Sequence, residues 1–342
     1  MRMKSLFATP LILFVVWLAL GTICPAHGQR GATVRESCID VGGAELYARE
    51  VGKGPAIIVL HGGPDFDQSY LLPEMDRLSD SYGLIYYDQR GRGKSASNVR
   101  PEDVTLASDI ADLEKVRQSF HLESATLLGH SWGTVIALEY ALKYPERVSH
   151  LILMNPGPAS REDYVQLRKD WPEKRPDAMA QRKAIAETAA YKEGGPEAVT
   201  AYYRIHFKPA LTRPEDYEKL IARMRASFNK EGVLKARAVE DRLMQDTWAS
   251  QDFDLVPKIK ILKIPTLVLT GDHEFIPAAT AEHIAQAIPD ARLVTLKGCG
   301  HFTFMECPAE THGQLDTFLQ AQRSLLSPGK CWWGCPIAAS PE

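Results

Sequence analysis

Ser131, His301 and a carboxylate at Glu274 or Asp272 are the residues of this chain whose types and order fit acyl transfer. Ser131 lies in Gly129-His130-Ser131-Trp132-Gly133, a G-x-S-x-G pentapeptide. By composition alone such a pentapeptide occurs in about one chain of this length in ten, so its surroundings must decide its meaning. Ser124 to Leu128 reads as a short buried strand. From Thr134 to Tyr144, Val135, Ile136, Leu138, Ala141 and Leu142 share one helical face, and Pro145 stops the helix. A serine on an abrupt strand-to-helix turn presents its hydroxyl clear of the backbone. Gly129 and Gly133 fit so tight a bend because side chains there would collide with the neighbouring helix and strand.

A serine nucleophile needs a base, an acid that orients the base, and donors for the oxyanion. In a strand-turn-helix architecture these follow as Ser, acid, His, each on a loop after a strand. After Thr266–Thr270 comes Gly271-Asp-His-Glu-Phe-Ile-Pro277, and after Arg292–Leu296 comes Lys297-Gly-Cys-Gly-His301-Phe302. His301 is the one histidine of ten that directly follows the last strand. Both Asp272 and Glu274 stand in the acid loop. The usual offset of three residues from the strand-ending Gly271 selects Glu274, whereas Asp272 is the more usual residue type. The oxyanion donors are expected to be the Trp132 amide and the Gly63 amide, the latter in His61-Gly-Gly-Pro64 after Ile57–Leu60. Asp88-Gln-Arg-Gly-Arg-Gly-Lys-Ser95 is not a phosphate loop, because Asp88 occupies the place of the first Walker glycine. Asp88 and Arg90 are expected to brace the loop beside Ser131.

The elements that must position these residues recur along the chain. Strand-like runs stand at 57–60, 84–87, 125–128, 148–154, 266–270 and 292–296, with helix-like stretches at 71–78, 106–120, 135–144 and 278–288. Such alternation predicts an α/β fold, with a mostly parallel central sheet flanked by helices. Residues 38–51 alternate more loosely, as an antiparallel edge does. Residues 157–257 carry helical spacing and almost no strand signal, which predicts a helical cap inserted into a core formed by 29–156 and 258–325. Residues 326–342 read as a loose tail.

Arg2 and Lys4 precede an apolar run from Pro10 to Leu20, and Ala26-His-Gly28 supplies small residues for cleavage before Gln29. Residues 1–28 therefore predict a signal peptide and a secreted or periplasmic protein, with an uncleaved anchor as the rival. Cleavage would move the net charge from −3 to −5 by removing Arg2 and Lys4. No basic excess points to nucleic acid, and no stable membrane partner is expected after cleavage. Export permits disulfides among Cys38, Cys299, Cys307, Cys331 and Cys335, and their odd number leaves at least one unpaired. Cys331 and Cys335 are spaced to close a small loop. No ligand cluster has metal spacing, so no metal or organic cofactor is expected, and the partner is a small-molecule or short-peptide substrate.

Together, His61-Gly-Gly-Pro64, Asp88-Gln-Arg-Gly91, Gly129-His-Ser-Trp-Gly133, the Gly271 loop and Gly300-His301 resemble the α/β-hydrolase superfamily, and within it the proline iminopeptidase family. The likeness spans about residues 38–323. It implies an α/β-hydrolase fold and cleavage of a small amide or ester through an acyl-enzyme. That family usually has Gly where Asp65 stands, and a cap W-x-x-W-E motif whose glutamates hold the substrate's free amine. Here that motif is absent. Trp171-Pro-Glu173 and Val239-Glu-Asp241 offer acids at other spacings, and Asp65 is a candidate substitute. Tyr203, Arg204 and His206 are candidate pocket-lining residues, with helix packing as the competing reading. A carboxylesterase or lactonase on the same triad is the alternative function, and a silent ligand receptor the remote one.

Overall fold

The computed structural model describes residues 33–226 and 229–326. Eight strands form one sheet: β1 (Val34–Asp40), β2 (Glu45–Val51), β3 (Ala56–Leu60), β4 (Gly83–Tyr87), β5 (Ala125–His130), β6 (Val148–Met154), β7 (Thr266–Gly271) and β8 (Ala291–Leu296). Their spatial order is β1-β2-β4-β3-β5-β6-β7-β8. The β1–β2 and β2–β4 pairs are antiparallel and every other pair is parallel. Residues 38–51 are thus a hairpin at the sheet edge.

The central strands read as continuous apolar runs because both faces of the sheet are covered. Ile58, Leu60, Leu127, Leu151, Leu153 and Val268 face one apolar layer. Their neighbours Ile57, Val59, Leu128, Ile152, Leu267 and Leu269 face the other. Truncating one of these fully buried side chains, such as Ile152→Ala, should cost about 2–5 kcal/mol. In chain order, α1 (Leu106–Ser119) starts from a reciprocal Thr105–Ser108 capping box, and α2 (Trp132–Lys143) runs from the pentapeptide to the proline that follows Tyr144.

Between β6 and β7 stand α3 (Arg161–Lys174), α4 (Pro176–Glu187), α5 (Ala189–Lys192), α6 (Pro196–Phe207), α7 (Pro214–Ala226) and α8 (Lys230–Asp246). Ends of this excursion are tied together: Ser160 bridges Asp254, Arg161 N–H donates to the Phe253 carbonyl, and Leu255 N–H donates to the Ala159 carbonyl. The chain closes with α9 (Ala278–Ala287), α10 (Thr303–Glu306) and α11 (Pro308–Leu326).

One expected helix is replaced. Residues 71–78 are parts of two 3₁₀ segments, Gln68–Leu71 and Glu74–Asp80, separated at Leu72-Pro73. Pro73 has no N–H to continue a helical ladder. The predicted leader at 1–28 and the tail with Cys331 and Cys335 lie outside the described residues. Cys299 and Cys307 form a disulfide, and Cys38 is free and exposed.

Candidate active site

Strand register brings the loops together. Leu60 pairs with Gly129, Met154 with Leu269, and Gly271 with Leu296. The loops after β3, β5, β6, β7 and β8 therefore leave the sheet at its C-terminal edge, with β3 and β5 side by side where the strand order reverses. Open α/β sheets bind their ligands at that kind of switch point.

Ser131 occupies φ 53°, ψ −118°, a strained conformation for a residue with a side chain. Its surroundings hold it there. The Ser131 N–H donates to the Met154 carbonyl, while its own carbonyl accepts from Thr134 N–H, Thr134 Oγ1–H and Gly157 N–H. A Cβ on Gly129 would lie 2.5 Å from the Gly133 carbonyl oxygen, and one on Gly133 would lie 2.2 Å from that of Leu60. Both glycines are therefore required by close approach. Trp132 begins α2, so its amide needs no partner within the helix. Its indole packs edge-on to Trp248.

His301 Nδ1 lies 2.9 Å from both carboxylate oxygens of Glu274. Their side chains are 3% and 6% exposed, so the pair is shielded from water. Donation from Nδ1 fixes the tautomer and leaves Nε2 as the basic nitrogen. Glu274 also accepts from Asn155 Nδ2 (2.8 Å), Phe275 N–H (2.8 Å) and Ile276 N–H (3.1 Å). Burial pushes the Glu274 carboxyl up, but the charge of His301 and these hydrogen bonds outweigh it and hold it below its usual range. Asp272 lies elsewhere. It is exposed, accepts from Gly298 N–H and pairs with His273.

A second network supports His301 from behind. Tyr70 O–H donates to His130 Nδ1 and accepts from Gly62 N–H, while His130 Nε2–H donates to the His301 carbonyl. Burial first, then the charge of His301, depress the His130 pKa, which keeps it neutral for that role. Gly63 adopts φ 132°, in the loop that the D-Q-R-G segment braces. Gln89 Nε2 donates to the His61 carbonyl and Arg92 Nε to the Pro64 carbonyl. The bracing thus comes from Gln89 and Arg92. Asp88 instead accepts from Gln68 and Lys94, and Arg90 is tied to Asp112 of α1.

Ser131, His301 and Gly63 line one cavity of about 470 Å³, together with Asp65, Tyr203, His206 and Glu240. A larger depression of about 680 Å³ lies across Asp65 and Tyr203 and includes neither Ser131 nor His301. Tyr203 O–H donates to Asp65 Oδ2 at 2.7 Å. His206 stacks on Trp171, and burial holds its pKa well below the usual value. Arg204 is a correction: it faces away and pairs with Glu218 at 2.9 Å on the exposed side of α6. Along α6, Tyr202, Tyr203, His206 and Phe207 share the cavity side, and the helical period carries Arg204 off it.

Glu240, one of the acids at other spacings, comes from α8 and lines the cavity. Burial pushes its carboxyl up to about 8, and the neighbouring Asp65 and Asp241 add to the rise. Asp65 is raised as well, again chiefly by burial, against the lowering effect of Tyr203. The cavity therefore holds two carboxyls that resist ionising together. Asn155, at φ 46°, escaped sequence reading, since a single Asn after a strand carries no motif.

Residues 55–308 match the family model for the alpha/beta hydrolase fold. A proline iminopeptidase of Thermoplasma volcanium is 27% identical over 269 residues, covering 77% of this chain and 88% of that protein. Among solved structures, proline iminopeptidase of Mycobacterium smegmatis has TM-score 0.65 and 22% identity, covering 86% of this chain and all of that one. A thermophilic esterase from Thermogutta terrifontis has TM-score 0.64 and 23% identity, covering 84% of this chain and 98% of its own. These two structures share the fold with this chain.

Proposed function

The chain belongs to the alpha/beta hydrolase family, and from that premise we propose that it is a serine hydrolase acting on substrates with a free α-amine, an aminopeptidase of the proline iminopeptidase kind. The hydrolase reading rests on the buried Glu274–His301 pair sharing one cavity with Ser131. Ser131 Oγ attacks the scissile carbonyl carbon as His301 Nε2 takes its proton, and Glu274 stabilises the resulting imidazolium. The Gly63 and Trp132 amides receive the oxyanion. His301 then protonates the leaving amine, and water, deprotonated by the same nitrogen, releases the acyl group from Ser131.

The amine preference is carried by Asp65 and Glu240. Burial raises both carboxyls, and Glu240, pushed up to about 8 by burial and then by the charge of Asp65, keeps its proton near neutral pH. An entering ammonium lets both ionise, and a buried ammonium needs such partners. The relatives at about a quarter identity named proline iminopeptidase support the same reading. The test is a panel of aminoacyl arylamides, their des-amino counterparts and p-nitrophenyl esters. Arylamides with a free amine should exceed their des-amino counterparts by at least about tenfold in kcat/KM. Ester cleavage with no response to the amine would select the esterase reading.

The helices from Arg161 to Asp246 act as the cap over this cavity, and the first 28 residues direct export. The Cys299–Cys307 disulfide supports export, because such bonds persist mainly in oxidising compartments. Amino-terminal sequencing of the exported protein should begin at Gln29, whereas retention of residues 1–28 would replace this reading with an anchored one.

A further inference from the structure

The inserted helices bring Arg168 and Arg182 into the cavity with no described carboxylate in ion-pair contact with either. Arg182 of α4 places its guanidinium 4.5 Å from the ring centres of both Trp171 and Tyr202, and it donates through Nη2 to the Tyr202 hydroxyl. Its Nε is buried without a partner, and Arg182 has no ion pair with any described carboxylate. Arg168 of α3 lines the same cavity, likewise without a carboxylate partner among the described residues. Arg92 and Arg90 beside the sheet are by contrast matched, by Asp109 and Asp112. A guanidinium clamped between two aromatic faces has lost most of its rotamer freedom already, so it meets a planar carboxylate at little further entropic cost. The charges of Arg168 and Arg182 reach Glu240, so the positive and the negative sets act within one cavity.

We propose that Arg182, supported by Arg168, is a carboxylate-binding subsite, and that the substrates are therefore short peptides, dipeptides first, whose leaving residue bears a free carboxylate. This rests on the aminopeptidase reading: Asp65 and Glu240 take the ammonium, Arg182 takes the opposite end, and the scissile carbonyl lies between them at Ser131. A zwitterion satisfies both charged sets at once, and a cavity of about 470 Å³ is of small-ligand size. An arylamide satisfies only one.

The experiment compares each dipeptide with its C-terminal amide, using the aminoacyl group that the arylamide panel prefers. The mature protein should favour the free acid over the amide by about 10- to 100-fold in kcat/KM, mostly through KM, as charge-assisted hydrogen bonds predict. Arg182→Gln should bring that ratio close to one, Arg182→Lys should retain part of it, and Arg168→Gln should lower it a few-fold. Both substrates use the same catalytic groups, so the ratio is insensitive to a general loss of activity. A wild-type ratio near one overturns the subsite, as does an Arg182→Gln protein that keeps the wild-type ratio. If Arg182→Gln does not fold, the wild-type and Arg168→Gln ratios decide alone. Cleavage of free-amine arylamides without acid-over-amide preference removes the subsite and leaves the aminopeptidase reading standing. Cleavage of esters but no amine substrate removes the aminopeptidase reading. The subsite is then read from inhibition of ester cleavage by free alanine against alaninamide: selective inhibition by alanine keeps it, and equal inhibition removes it.

Discussion

Asn155 shows how much of the site's order depends on single polar atoms. Its Nδ2 donates to Glu274 and to the Gly300 carbonyl, while its Oδ1 accepts from Thr303. It thereby joins the acid loop, the base loop and the end of β6. Asn155→Ala should lower kcat by about 10- to 100-fold with KM little changed, since a charge-assisted bond of about 1.5–3 kcal/mol is lost from the acid; an unaltered kcat would show that Glu274 is held without it. Glu274→Gln should lower kcat by about 10³- to 10⁴-fold through the wrong imidazole tautomer, whereas Asp272→Asn should stay near wild type. The reverse pattern in one assay would transfer the acid's role to Asp272. Glu240 links function to stability. Its pKa, raised from 4.5 to about 8, means that the folded state binds more protons than the unfolded chain between those values. Stability therefore falls as pH rises through that window. Glu240→Gln should melt higher than wild type at pH 8, with the gap closing toward pH 5, while the amine preference is lost. A wild-type melting temperature that rises from pH 5 to 8 because of this residue would contradict the assignment.

At the scale of elements, the site is set by where strands end. The pentapeptide and the Gly271 loop were legible because each follows a fully buried strand, and Gly300-His301 because it follows the last β-type run of the chain, Arg292–Leu296. Residues 148–154 match β6 end to end, with Leu151–Met154 as its buried apolar half. The stretch at 71–78 was less legible: its apolar spacing mimics a helix, and only Pro73 marks the break. Arg204 was misplaced because residue type alone does not fix the rotation of α6; Glu240 stood among the acids of Val239-Glu-Asp241 with no spacing to single it out, and Asn155 was missed because its partners are distant in sequence. The Cys299–Cys307 pair was equally hidden, since spacing alone does not reveal that the turn into α10 brings the two together. This disulfide encloses His301, whose backbone N–H is anchored to the Ala210 carbonyl. Closing so short a loop is worth about 2–3 kcal/mol in the chain-entropy account. Replacing both cysteines by serine should lower stability by about that amount in denaturant titration and reduce kcat more than it changes KM. A double variant as stable and as active as wild type would reduce the bond to an ornament of the loop.

The whole molecule is a parallel sheet that gathers five loops at one edge, with helices inserted after β6 that supply one wall of the cavity. The sheet side brings Ser131, His301, Glu274 and the Gly63 and Trp132 amides, and its architecture was the most legible part of the sequence because alternation of strands and helices is a long-range pattern. The helical side brings Tyr203, His206, Glu240 and Arg182, whose meaning appears only once α3, α4, α6 and α8 face a common space. In the proposed mechanism the reacting groups come from the sheet edge, and selection is shared between Asp65, in the loop after β3, and the inserted helices. The central claim is that Ser131 is the nucleophile of this arrangement. Reaction with a fluorophosphonate probe, followed by peptide mapping, tests it most directly. The account predicts one adduct, on Ser131, with activity lost in proportion to labelling, and no adduct in a folded Ser131→Ala protein whose kcat falls by about 10⁴-fold or more. An adduct on another residue, or a Ser131→Ala protein retaining more than about a tenth of wild-type kcat, would contradict it.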